Sequence, residues 1–129
     1  GKAAVMIGSS GRVRAYAYTS PVDMRKGFDG LFSLVKKSLH RDPLSGDLFL
    51  FVNRTRKRAK VLLWDGTGLC LYAKRLEKGK FACLWRDNGR ESLDLSVTEL
   101  QLFMEGGSLV GRVSLTPAPL ELSRSFQTR

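Results

Sequence analysis

The sequence predicts an α+β domain: an antiparallel β-meander of at least four strands, one long N-terminal helix and one short C-terminal helix. Three observations predict it. Apolar residues Met24, Phe28, Leu31, Phe32, Val35 and Leu39 recur at helical period. Four apolar runs then follow, at Leu48–Val52, Val61–Trp64, Leu69–Ala73 and Phe81–Trp85, separated by charged or glycine-containing connections. Finally, Ser96-Val97-Thr98-Glu99 has the S-x-x-E spacing of a capping box ahead of Leu100, Phe103 and Met104.

In chain order, residues 1–11 read as a flexible lead, 12–107 as one domain and 108–129 as a tail. The tail carries Pro117 and Pro119 and is either mobile or folds back as an edge strand around Val113–Leu115. Arg12 to Tyr18 reads as a first strand. Ser20-Pro21-Val22-Asp23 reads as a helix start, with Ser20 as N-cap and Pro21 at the first helical position. That helix should end near Leu39, because Pro43 disfavours a helical Asp42. His40 would lie at the helix end. Gly27 and Gly30 fall inside it, where each costs about 1 kcal/mol against alanine. The compensation is either close packing on the sheet or a partner's backbone resting there. Asp42 to Gly46 and Asp65 to Gly68 read as turns, and Leu93-Asp94-Leu95 as a connection.

Charge is the strongest functional signal. The 129 residues carry 22 Lys and Arg against 12 Asp and Glu, a net charge of +10. Such a surplus attracts polyanions, nucleic acid first. It concentrates in two clusters: Arg54, Arg56, Lys57, Arg58 and Lys60, then Lys74, Arg75, Lys78 and Lys80 around Glu77. A meander brings both to one edge of the sheet, where they sum to +8. The expected role is phosphate contact, with little base readout, since Asn53 is the only amide side chain among them.

Other chemistries are poorly supplied. Two cysteines and one histidine cannot build a four-ligand zinc site of Cys and His. Cys70 and Cys83 read as reduced thiols, in keeping with a bacterial cytoplasm. No phosphate-cradling or dinucleotide-binding glycine motif occurs. The carboxylates Asp23, Asp65 and Asp94 are explained by capping, a turn and a connection. The longest uncharged run, Ala3–Gly11, is far too short to span a membrane. No enzyme, cofactor, metal or membrane is expected.

Four ordered segments resemble one known family. They are Ser20-Pro21-Val22-Asp23-Met24-Arg25-Lys26-Gly27-Phe28-Asp29-Gly30-Leu31, Asp42 to Phe51, Lys60 to Leu69, and Lys74 to Gly79. Together they look like the accessory proteins called TnpB, from the second open reading frame of bacterial insertion sequences of the sixty-six type. These are distinct from the RNA-guided nuclease of the same name. The resemblance runs from about Arg12 to Gly106. It implies an accessory role in DNA transposition beside the element's transposase, and it supplies no catalytic residues. Two roles are then open: a DNA-contacting module using the basic edge, or an adaptor docking the transposase through Arg25, Lys26, Gly27 and Gly30.

Overall fold

The computed structural model describes residues 13–85 and 89–106. The expected lead at 1–11, the whole of the expected tail at 108–129 and the possible strand at Val113–Leu115 lie outside them. Five strands form one sheet: β1 (Ala15–Tyr18), β2 (Leu48–Val52), β3 (Arg58–Trp64), β4 (Leu69–Arg75) and β5 (Ser92–Leu95). The helices are α1 (Phe28–Lys37) and α2 (Val97–Glu105). Spatial order is β4-β3-β2-β1-β5.

This corrects the predicted purely antiparallel meander with a long N-terminal helix. β2, β3 and β4 do form antiparallel hairpins. β1, however, pairs parallel to β2, with Ala15 opposite Leu48 and Ala17 opposite Leu50. The reason is the intervening helix. A crossover that lays α1 on the sheet returns the chain in the direction it left. β5 then adds antiparallel to the far side of β1, so Leu93-Asp94-Leu95 is a strand and not a connection.

The first helix is also shorter than its apolar period suggests. Ser20 and Pro21 do not start it. Val22 instead donates its N–H to the Val52 carbonyl at 2.9 Å, which holds this stretch extended beside the end of β2. Asp23 turns the chain by accepting from the Arg25 N–H at 2.8 Å. Gly27 becomes the N-cap, without a side-chain capping bond, and α1 spans 10 residues. At the other end His40 adopts a left-handed conformation, φ 56°, which histidine tolerates better than bulkier residues.

Both faces of the sheet are covered. Tyr16, Phe49, Phe51 and Leu62 pack under Leu31, Val35 and Leu39 of the α1 region. On the opposite face Ala15, Ala17, Leu50, Val52 and Val61 meet Phe81, Leu84, Leu95, Leu100 and Phe103. Phe81–Trp85 was expected as a fourth meander strand. It lies across this second face instead, and the Phe81 ring stacks on Phe103 at 5.2 Å between centroids. A fully buried phenylalanine is worth more as cover for that face than as an exposed edge strand. α2 supplies the rest of the cover. Ser96 caps it: its Oγ accepts from the Glu99 N–H at 3.0 Å, and Glu99 Oε1 accepts from the Ser96 N–H at 2.8 Å.

Phe81→Ala should therefore destabilise the fold by about 3–5 kcal/mol. Tyr72→Ala, on exposed β4, should change stability by no more than about 0.5 kcal/mol. Urea unfolding of both variants measures the contrast. Similar losses would place Phe81 on an edge rather than in the core.

Candidate nucleic-acid interface

The β2–β3 hairpin is built around Asn53. Its N–H bonds the Arg58 carbonyl at 3.0 Å and its carbonyl accepts from the Arg56 N–H at 2.9 Å. Its side-chain Oδ1 accepts from the N–H groups of Lys57 and Arg58 at 3.1 and 3.0 Å. That carbonyl is thus committed to the turn, so Asn53 cannot offer a bidentate pair to adenine. Arg56 takes a left-handed φ of 61° at the tip.

The chain leaving β4 is tied to this hairpin. Leu76 N–H bonds the Lys57 carbonyl at 2.8 Å, and Phe81 N–H bonds the Arg56 carbonyl at 2.7 Å. In return an Arg56 guanidinium N–H donates to the Phe81 carbonyl at 3.3 Å. Lys57 Nζ lies 3.5 Å from the Gly79 carbonyl. The two basic clusters are one surface, at one end of the sheet.

Its cations differ in what they have left to offer. Lys60 is a strut: its ammonium donates to the carbonyls of Met24 and Lys26, both at 2.8 Å. Lys74 reaches across the second face to the Met104 carbonyl at 2.8 Å. There it supplies the positive charge that the last turn of α2 lacks. Arg75 pairs with Glu77 at 3.1 Å, with both side chains mostly exposed, an arrangement that contributes little to stability. Among the described residues, the side chains of Arg54, Arg58, Lys78 and Lys80 have no hydrogen-bond or ion-pair partner.

The Lys60 strut brings in the segment assigned above to a separate docking role. A cleft of about 590 Å³ is lined by Asp23, Met24 and Arg25 on one side and by Asn53, Arg54 and Arg58 on the other. Arg25 therefore belongs to the same basic surface, and Lys26 is tied to it through its carbonyl, which accepts from Lys60. Arg25 is partly neutralised by Asp23, 2.7 Å away. The two glycines do not approach the sheet. A Cβ on Gly27 would meet nothing within 4 Å, while one on Gly30 would lie 3.1 Å from the Lys26 side chain. Gly30 thus leaves room for the Lys26 stem to lie along α1.

Two carboxylates are held well below their usual range. The Arg25 guanidinium, then its backbone N–H, lowers Asp23 to about 2. At the opposite end of the sheet, the N–H groups of Thr67 and Gly68 lower Asp65 to about 2. Burial and the neighbouring Asp65 raise the Cys70 thiol. Both cysteines are free thiols. Among the described residues, no group of three His, Cys, Asp or Glu side chains could hold a metal ion, and no helix is long and apolar enough to cross a membrane.

A small mixed-sheet protein with one cationic end is the class these features define. The chain belongs to the family of IS66 Orf2-like proteins, which it matches over residues 13–112. It is an accessory protein of an insertion sequence. It is 40% identical over 101 residues to uncharacterized protein y4jC of Sinorhizobium fredii (strain NBRC 101917 / NGR234), covering 78% of this chain and 85% of that protein. Uncharacterized protein y4hO of the same strain is 36% identical over 101 residues, covering 78% and 86%. No solved structure matches.

The carboxylates set an acid limit. A lowered folded-state pKa contributes stability above the unfolded value near 3.9, and that contribution is lost as pH falls through the folded value. Stability should thus decline between about pH 4 and pH 2. Asp65→Asn keeps an acceptor for the turn but cannot titrate, so its pH profile over this window should be flatter than wild type. Thermal melts at stepped pH check this.

Proposed function

We propose that this protein is a non-enzymatic accessory factor of insertion-sequence transposition that grips DNA by its phosphates through the basic end of its sheet. One observation carries the reading. The hairpin at 53–58 and the segment at 76–81 are fastened together by backbone hydrogen bonds, and the side chains of Arg54, Arg58, Lys78 and Lys80 have no partner there among the described residues. Concentrating like charges costs free energy in the isolated protein. Phosphates relieve that cost and release counterions as they bind. Base readout is minimal, since Asn53 is spent on its turn, so binding should be nearly independent of sequence. On this reading the protein works in the bacterial cytoplasm, with the element's transposase and its other proteins as partners.

An adaptor role keeps one observation in its favour: Phe28, at the start of α1 next to Arg25-Lys26-Gly27, is 48% exposed. Under that reading the transposase would co-purify through this helix at high salt, and DNA affinity would be incidental.

The two classes of cation separate the readings. Arg54→Gln, Lys78→Gln and Lys80→Gln together should lower the log–log salt slope of duplex binding by about 2.7, at roughly 0.9 per contact, for any sequence and with folding intact. Lys60→Met with Lys74→Met should chiefly lower the melting temperature, because the carbonyls of Met24, Lys26 and Met104 lose their donors. Titration against one duplex at two salt concentrations, beside thermal melts, makes the comparison. An unchanged slope in the first variant would remove the basic end as a DNA site.

A further inference from the structure

Arg58 and Arg75 are directly opposite one another at the last pair of the β3–β4 ladder. Opposed residues share a face, with Cβ atoms about 4.5–5.5 Å apart, and like charges so placed are destabilising. Neither guanidinium is well compensated. The Arg58 side chain has no partner among the described residues, and that of Arg75 has only the exposed Glu77. Lys60 and Lys74, by contrast, are held by carbonyls.

Two adjoining hollows meet at Arg58, and Arg75 borders one of them. Arg58 and Met24 line both the cleft that holds Arg25 and Arg54 and a second one, of about 260 Å³, that reaches Ala73 and Arg75. Lys60 and Lys74 also line the second hollow, but their ammonium groups are engaged with carbonyls. Ala73, opposite Lys60 and two residues from Arg75 on the same face of β4, is small and adds room beside the pair. The hollow therefore combines room, two arginine forks and no carboxylate of its own lining. Arginine forks match the paired oxygens of a phosphate.

We infer that Arg58 and Arg75 form a phosphate clamp, a fixed anchor that takes one phosphodiester group of a DNA strand while the surrounding cations contribute only diffuse attraction. The inference deepens the DNA reading and rests on it. The clamp holds the phosphate between the two guanidiniums, in the hollow that Ala73 also lines. Arg25 and Arg54, in the adjoining cleft, are placed to meet the next phosphate along the strand.

The test uses the full chain and two probes, inorganic phosphate and a short random duplex. Phosphate, compared with chloride at matched ionic strength, should raise the wild-type melting temperature by about 4–8 °C at five times its dissociation constant. In chloride, Arg58→Gln and Arg75→Gln should each be at least as stable as wild type, since either removes the repulsion, and each should lose most of the phosphate shift. Variants that keep the shift, or a wild type that shows none, would overturn the clamp. Duplex binding without an arginine-dependent phosphate shift would sink the clamp and leave the broader DNA reading standing. A phosphate shift that depends on both arginines, with no duplex binding, would keep the anion site and sink the DNA reading.

Discussion

β2 is buried on both faces, and the rest of the structure follows from that constraint. All five residues of Leu48-Phe49-Leu50-Phe51-Val52 are buried. A strand with no polar face needs a cover on each side. The chain provides one before the strand, as α1, and the other after the hairpins, as Phe81–Trp85 and α2. To reach the second face, the chain leaving β4 must pass over the end of the sheet. It passes there along the β2–β3 hairpin, bonding Arg56 and Lys57 on the way. The demand for a second apolar cover is what brings the two basic stretches together.

The charged end is therefore supported by the core and yet electrostatically unrelieved. Its backbone is fixed by hydrogen bonds to Asn53, Arg56 and Lys57, so its cations cannot drift apart as they would on free loops. Some of them serve the fold. Lys60 fastens the Asp23–Gly27 segment to β3, and Lys74 fastens α2 to β4. The remaining ones face solvent. Lys60 and Lys74 on the strands hold carbonyls, while Lys78 and Lys80 in the segment after β4 are available to a polyanion. Counting charges alone assigns them the same role.

Much of this was legible from the residues, and the misses have physical causes. The hairpins of β2, β3 and β4 follow from their apolar runs and from the charged turn at 53–57 and the glycine-bearing turn at 65–68, and the Ser96–Glu99 box marks the second helix correctly. The proximity of the basic clusters follows from hairpin geometry. The parallel β1–β2 pair was signalled too, by a strand, a helix and a fully apolar strand in succession. Reading every strand as part of one meander hid it. Phe81–Trp85 shows the limit of apolar runs, which report burial without saying whether the segment pairs or covers. The start of α1 was obscured because Ser20-Pro21 has the chemistry of a helix start, while a tertiary bond from Val22 to Val52 holds the segment extended. The Arg58–Arg75 opposition depends on strand register, which residue types alone do not set.

The central claim is that one end of the sheet, and not the protein's charge as a whole, engages DNA. Amide chemical-shift mapping during titration with a short random-sequence duplex tests it most directly. The account predicts shifts concentrated at residues 53–58 and 76–80 and along 23–26, with the Asp65–Gly68 turn at the opposite end unmoved. Shifts spread evenly over the surface, or centred on that turn, would contradict it.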